Sequence, residues 1–395
     1  MQILVLSFYY PPDLCAGSFR AGALSAALVQ RLDATDRLDV LTTSPNRYAS
    51  FSEQAPATES SGPLNIERFS IPSHQSGMKD QSIAFYHFAR SVWRSIKGQQ
   101  YDLVFATSSR LATAALGARV ASRLGVPLYL DIRDIFTDTL TDLMAGRPLA
   151  VILPLLRLVE RRTISSAKRI NLVSDGFRDY FQKIAPDKHF SFYPNGIDDE
   201  FIGRDFHKPA QDGQSVVLYA GNIGAGQGLH CILPQVAALL GHDYQLKVVG
   251  DGGMRRHLED EITRSDVNNL EVLDPVPRDE LLGLYRQADY LFLHLNDYKA
   301  FHKVLPSKIF EYGATGKPIL AGVAGFAREF ILRELENSAV FDPCDAKGMV
   351  RAIQRLPPLE CERGEFVERY RRRSIMGRMA DDILDCLPTR GAVKQ

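Results

Sequence analysis

Short apolar runs alternate along this chain with longer amphipathic stretches, and the alternation occurs twice. In the first half ILVLSF (3–8), LDVLTT (38–43), YDLVFATSS (101–109), PLYLDIRD (127–134) and RINLVS (169–174) predict strands. RAGALSAALVQRL (20–32) and ATAALGARVASRLG (112–125) predict helices between them. In the second half SVVLYAGN (215–222), QLKVVGDG (245–252), LEVLDPV (270–276), YLFLHL (290–295) and PILAG (318–322) repeat the strand pattern. Nearly unbroken apolar strands separated by helical stretches predict an α/β protein with parallel sheets covered by helices.

At 395 residues the chain exceeds what one core sustains, so two domains are expected. Residues 196–214, GIDDEFIGRDFHKPAQDGQ, are polar, turn-rich and aperiodic, which predicts a linker between domains 1–195 and 215–364. Residues 365–395 predict a helical segment packing back toward the first domain. Parallel sheets bind ligands at the carboxyl ends of their strands, so two such sheets facing each other predict a cleft between them.

Lys plus Arg and Asp plus Glu both number 47, and this balance gives no sign of nucleic acid as a partner. Five scattered cysteines without a CxxC pair argue against a disulfide framework and against a zinc site. MQILVLSFYYPP has no basic n-region, and no apolar run reaches bilayer length, so a cytoplasmic protein is expected.

The richest chemistry lies in VLPSKIFEYGATGKPILAG (304–322). Pro306 suits a first helical turn and Gly316 the residue past a helix end, predicting a helix of about ten residues. Its free N–H groups and dipole favour an anion, and Ser307 and Lys308 add a hydroxyl and a cation. Glu311 follows Lys308 by three positions and shares its side of the helix. A carboxylate there suits two vicinal ribose hydroxyls, or else merely pairs with Lys308 on a wet face.

Other candidates follow strands. Gly17, in PPDLCAGS, permits close backbone approach at a helix start near Ser18 or Arg20. In DIRD, Asp131, Arg133 and Asp134 either face a cleft or pair with one another, because burying them alone is unfavourable. Gly224 lies in NIGAGQG and Gly250, Asp251 and Gly252 in VVGDGG, two glycine loops whose spacing is not that of GxGxxG. His294 reads as a strand residue. QSIAFYHFARSVWRSIKGQQ (81–100) and PLAVILPLLRLVERR (148–162) mix apolar and basic residues, as either domain helices or lipid-facing segments do.

PSKIFEYGATGKPI resembles the donor-binding signature of retaining glycosyltransferases of family 4, in particular bacterial enzymes of O-antigen, capsule and exopolysaccharide synthesis. The resemblance continues through SFYYPPDLCAGS, LYLDIRDIFTDTL, YPNGID and VVGDGGMRRHLE, nearly the whole chain. It implies the GT-B fold: two Rossmann-like domains facing across a cleft, the first for acceptor and the second for donor. The donor set it implies is Gly17, Asn222, Gly224, Gly250, Asp251, Gly252, Val276, Pro306, Ser307, Lys308, Ile309 and Glu311, with Val276 in a loop (275–278) beside the base. Ser18, Arg133 and Asp134 are the expected acceptor residues, and Asp131, Lys308 and Lys303 the expected catalytic ones.

Two departures stand out. Lys303 occupies the position eight before Glu311 where many family members carry Glu, and Asn222 and Gln227 replace the usual Arg and Lys after residues 215–220. Lysines and backbone amides then meet the charge of the leaving diphosphate, with no metal and no cofactor expected. The expected partners are a UDP-sugar and a saccharide acceptor, with a polyprenyl-diphosphate-linked one if a helix touches lipid at the membrane's inner face. The alternatives are a nucleotide-sugar 2-epimerase, a non-catalytic nucleotide-sugar-binding scaffold and, more remotely, an NAD-dependent oxidoreductase.

Overall fold

The computed structural model describes residues 1–46, 54–72, 78–108, 111–143, 152–208 and 213–387, and every apolar run named above contributes a strand. The first sheet contains β1 (Gln2–Leu6), β2 (Arg37–Thr43), β3 (Thr58–Ser61), β4 (Leu64–Phe69), β5 (Leu103–Thr107), β6 (Leu128–Ile132), β7 (Arg169–Leu172) and β8 (Phe190–Phe192). Their order is β3-β4-β2-β1-β5-β6-β7-β8, parallel except for the β3/β4 pair. The second sheet contains β9 (Ser215–Ala220), β10 (Tyr244–Val249), β11 (Leu270–Leu273), β12 (Tyr290–His294), β13 (Ile319–Gly322) and β14 (Ser338–Phe341). Its order is β11-β10-β9-β12-β13-β14, parallel throughout.

The continuous apolar runs are explained by burial on both faces: every residue of β5, β6 and β12 is buried. Four strands were not foreseen. TESS and LNIERF form a hairpin at the sheet edge, where only Ile66 and Arg68 are buried, and FSF and SAVF are too short to show a period.

The chain divides into one unit of residues 1–195 with 372–395 and another of residues 196–371. The expected linker therefore differs from what is found. In its described part Ile197, Phe201 and Phe206 are buried, and Phe201 stacks on Phe206 at 5.9 Å and meets Tyr285 at 6.1 Å. Three apolar anchors at irregular spacing gave no periodic signal. The C-terminal segment also splits. The helix Gly364–Arg369 stays in the second unit, with Phe366 stacked 6.3 Å from Phe310. The helix Arg372–Leu384 belongs to the first, packed on the helix Ala16–Val29, where the Arg20 guanidinium lies 3.2 Å from Met379 Sδ. Asp382 on that helix accepts from Tyr129 and Ser191, both at 2.8 Å.

Each sheet reverses its winding direction at its first strand. β1 lies between β2 and β5, and β9 between β10 and β12. The loops after these strands are where an open parallel sheet receives a ligand.

His294 ends β12 and is a fully buried strand residue. Its Nε2 accepts from the Cys344 amide at 2.9 Å, so Nδ1 carries the proton and donates to the Gln227 carbonyl at 2.5 Å. The loop after β9 is thereby pinned to β12. Burial lowers the His294 pKa from 6.5 to about 4, with the Gln227 bond opposing and His230 assisting. The unfolded chain takes up this proton at higher pH than the folded one, so stability is full above pH 6.5 and falls as pH drops toward 4. We predict that this residue accounts for roughly 3 kcal/mol of that loss. In denaturant titrations across the interval, His294→Gln should flatten the slope; a slope equal to wild type would contradict the assignment.

Candidate functional site

The segment 304–322 forms a shorter helix than its caps predict, Lys308–Ala314, preceded by Pro306 and by Ser307, whose side chain makes no capping bond. Gly316 follows with φ +73°, as a residue past a helix end should. Ile309, Phe310 and Tyr312 are fully buried, and the Tyr312 hydroxyl accepts from the Ala220 amide at 3.2 Å, fastening the helix to β9. Of the three, Ile309 was expected at the donor; its side chain is core.

Glu311 is also buried, and its carboxylate is the centre of a network. Lys308 Nζ donates to Oε2 at 2.8 Å and Tyr285 OH to the same oxygen at 3.1 Å, while Lys308 and Tyr285 stand 3.3 Å apart. An Arg278 guanidinium nitrogen reaches Oε1 at 3.4 Å. Burial alone would raise the carboxyl pKa, but Lys308 and Arg278 overcome it and hold it at about 2. The same burial, with the Glu311 charge beside it, pushes the Tyr285 hydroxyl well above its ordinary value, so it stays a donor. Arg278 further bonds Glu200 and, at 3.3 Å, Asp198, and lies 4.9 Å over the Phe201 ring. The wet-face reading of the Glu311 and Lys308 pair is thus replaced by a buried one.

Lys308 lies against the loop after β9, since a Cβ added to Gly221 would stand 3.4 Å from its Cε. In that loop Asn222 Nδ2 donates to Gln227 Oε1 at 2.8 Å and the Gly224 amide to the same oxygen at 3.2 Å. The two neutral residues that stand where the family carries charge therefore bond to each other. The loop after β10 packs against this one, and a Cβ at Gly250 (φ +151°) would come within 1.9 Å of the Gly221 carbonyl oxygen. Only glycine fits there. Asp251 accepts from the Gly252 amide at 2.7 Å, closing its own turn. Val276 is partly buried in the turn after β11, and Lys303 partly buried on the short turn Phe301–Lys303 after β12. Gathered at this end of the second sheet, then, are Asn222, Gly224, Gly250, Lys308 and Glu311.

In the first unit Asp131 at the end of β6 is 2% exposed. Arg20 grips both its oxygens, at 2.8 and 2.9 Å, and Asn171 donates to it at 2.7 Å. With these partners the Asp131 carboxylate is bound on both oxygens within the first unit. Its ion pair is with Arg20, not within DIRD. Gly17 and Ser18 lie in the first turn of the helix Ala16–Val29, which begins slightly earlier than expected. Arg133 and Asp134 leave β6 partly buried, and the Arg133 amide donates to Ser108 Oγ at 2.9 Å.

Arg278 and Tyr285 were missed. Tyr285 occupies an apolar-face position three after Leu282 and reads as core; Arg278 opens the same helix and reads as a surface charge. No local spacing links either to Glu311.

With the geometry in place, the family models are decisive. One for a glycosyl transferase 4-like domain matches residues 20–196, and one for glycosyl transferases group 1 matches residues 203–373. Similar solved structures include HepE of Anabaena in complex with UDP-glucose, at 15% identity over 98% of this chain and 100% of that one, TM-score 0.65. WaaG, a glycosyltransferase involved in lipopolysaccharide biosynthesis, has 14% identity over 96% and 95%, TM-score 0.64. The α,α-trehalose 6-phosphate synthase of Burkholderia multivorans has 13% identity over 97% and 96%, TM-score 0.67. No curated protein matches the chain in sequence. The fold is that of the GT-B glycosyltransferases. This chain belongs to their family 4 type and is a glycosyltransferase, which sets aside the oxidoreductase reading.

The network makes a pH-dependent prediction. Glu311 is held below its unfolded value, so its pairing stabilises above pH 4.5 and is lost as pH falls toward 2. Lys308→Met removes one cation from a buried carboxylate and should lower stability by about 2 kcal/mol at neutral pH. The gap between variant and wild type should close toward pH 2, which denaturant titration at several pH values would reveal.

Proposed function

We propose that this glycosyltransferase moves a sugar, with retention at the anomeric carbon, from a UDP-sugar to a saccharide carried on polyprenyl diphosphate, in assembly of a bacterial surface polysaccharide. The observation that carries the donor half is the buried Glu311 carboxylate, held ionised by cations at the carboxyl end of the second sheet. An ionised carboxylate accepts the two ribose hydroxyls, and Lys308, against the Gly221 backbone, lies where a diphosphate would meet the loop amides. HepE, solved with UDP-glucose, and WaaG, a lipopolysaccharide enzyme, support the donor and pathway class.

In this reading the diphosphate leaves with electrostatic help from Lys308, Lys303 and amides of the glycine loops, and needs no metal. The acceptor hydroxyl attacks the oxocarbenium-like centre from the side of the departing phosphate. Its proton passes to that phosphate. No protein nucleophile takes part.

The acceptor half rests on the first unit's surface. The helix Met78–Ser95 buries Ala84, Phe88 and Val92 while exposing Ile83, Tyr86 and Trp93. Arg90, Arg94 and Lys97 are exposed beside them. The helix Leu153–Ser166 exposes Leu155 and Leu158 with Arg157, Arg161 and Arg162. Rings flanked by cations suit an anionic lipid surface, and no helix among the described residues is long and apolar enough to cross a membrane. The protein would work at the cytoplasmic face, bound peripherally.

Three measurements test this. Calorimetry should show Glu311→Ala binding UDP about 10- to 100-fold more weakly than wild type, the scale of lost charged hydrogen bonds. Mass spectrometry over a panel of UDP-sugars and lipid-linked acceptors, in excess EDTA, should detect the transferred sugar, and NMR of the product should show the anomeric configuration retained; an epimerised UDP-sugar seen by NMR without acceptor would instead indicate the 2-epimerase, and tight UDP binding with no turnover the scaffold. Trp93 is the chain's single tryptophan, so its fluorescence should shift to the blue with vesicles containing anionic lipid and not with zwitterionic ones. No shift with either would remove the membrane assignment.

A further inference from the structure

The helix that carries Lys308 and Glu311 is too short to hold its own direction. Its seven residues, Lys308–Ala314, make about two turns, and a helix of that length is marginal without outside support. No side chain fastens its start, since Ser307 makes no capping bond. Its last turn leaves carbonyls that no later amide of the helix can reach. Thr315 Oγ1 donates to the Tyr312 carbonyl at 2.8 Å; the Gly313 carbonyl is taken by a guanidinium from outside the segment. Arg363 Nη1 donates to it at 3.3 Å and also reaches the Tyr312 carbonyl at 3.5 Å.

The same guanidinium extends to the sheet. Its Nη2 donates to the carbonyl of Lys317 at 3.0 Å, just before β13, and to those of Glu336 at 2.8 Å and Asn337 at 3.2 Å, just before β14. Nε reaches the Glu336 carbonyl as well, at 3.2 Å. Every one of these acceptors is a main-chain oxygen. Arg363 is 8% exposed, and burial lowers its pKa below the ordinary arginine value, with Cys361 and Glu336 opposing. Two glycines let its segment come this close: a Cβ at Gly313 would stand 2.3 Å from the Phe366 ring, and one at Gly316 2.6 Å from the Cys361 carbonyl oxygen. The Cys361 amide donates to the Gly316 carbonyl at 3.0 Å. Arg363 therefore lies at the amino ends of β13 and β14, opposite the loops that receive a ligand.

We infer that Arg363 is a positioning residue for the transfer: gripping the last turn of the helix Lys308–Ala314 together with the starts of β13 and β14, it fixes where Lys308 and Glu311 meet the donor. It touches no reacting atom. Its role rests on Glu311 and Lys308 holding the donor, as proposed for the transferase. Glu311 stands two positions before Gly313, so a displaced helix end moves the carboxylate directly, and misplacement by about 1 Å is enough to weaken a positioned contact severely.

The test uses the full chain with Arg363→Ala and Arg363→Lys, titrated with UDP by calorimetry at a temperature where circular dichroism shows each variant folded. Arg363→Ala should bind UDP about tenfold more weakly than wild type at unchanged stoichiometry. Guanidinium ion at millimolar concentration, far below denaturing levels, should recover about threefold of that loss. A cavity of about 320 Å³ lined by Arg363, Glu334, Glu336 and Phe366 gives it access to the truncated side chain's place. A residue with only a structural role gives a different pattern, namely fewer UDP sites per chain, unchanged affinity at those that remain and no response to guanidinium, and that pattern would overturn the proposal. Added to Glu311→Ala, Arg363→Ala should reduce affinity by less than it does alone, because both act along one helix; losses that multiply in full would show Arg363 acting elsewhere and would also overturn it. If Arg363→Ala does not fold, Arg363→Lys decides. An ammonium cannot span these carbonyls as a planar fork does, so UDP affinity should fall about threefold or more with stoichiometry kept, and wild-type affinity would overturn the proposal. Wild type that binds no UDP sinks the donor reading and the role of Arg363 with it, whereas UDP bound equally by wild type and variants sinks the role of Arg363 alone.

Discussion

A carboxylate removed from water and kept ionised is the interaction on which the second unit's site depends. Glu311 alone in that position would be neutral or strongly destabilising. It remains charged because Lys308, Tyr285 and Arg278 converge on its two oxygens from two helices. Arg278 in turn needs counter-charges, and Glu200 and Asp198 provide them from the stretch that opens the second unit. A polar, irregular segment is thus held to the unit by electrostatics as well as by Phe201 and Phe206, and the helix Lys308–Ala314 is held in register with the loop after β9.

Asp131 in the first unit is also a buried carboxylate, and its partners differ from those of Glu311. Asp131 is met by a guanidinium that is itself 2% exposed, with both oxygens gripped. Releasing such a pair would strand two buried charges. Glu311 is met by Lys308, whose side chain is 21% exposed, and an ammonium at the edge of solvent can turn to another anion at little cost. Both carboxylates are buried; the freedom of the partner differs.

What was legible in the sequence was local. Strands buried on two faces advertise themselves by continuous apolar character, and the spacing of Pro306, Lys308, Glu311 and Gly316 placed a helix, a cation and a carboxylate together. What was not legible depends on tertiary contact. Arg20 meets Asp131 across 111 positions, and Arg278 meets Glu311 across 33, separations at which no periodicity operates. The anchors Ile197, Phe201 and Phe206 were hidden in polar composition, and the edge hairpin β3/β4 lacked the burial that makes a strand visible.

The charge inventory of the second unit's network has a consequence for how a diphosphate is received there. Arg278 and Lys308 face Glu311, Glu200 and Asp198, so the network by itself has no cationic surplus. The loop after β9 adds none, because Asn222 and Gln227 are neutral and bonded to each other. On the proposed reading, an arriving nucleotide exchanges partners: ribose hydroxyls donate to Glu311 as Lys308 swings to the phosphate, and the diphosphate charge that Lys308 does not match falls to Lys303 and the loop amides. The carboxylate keeps its donors, the ammonium keeps an anion, and the buried charges are never left alone. Such an exchange requires both halves of the ligand together, so ribose and phosphate recognition are energetically coupled through the single Lys308 side chain.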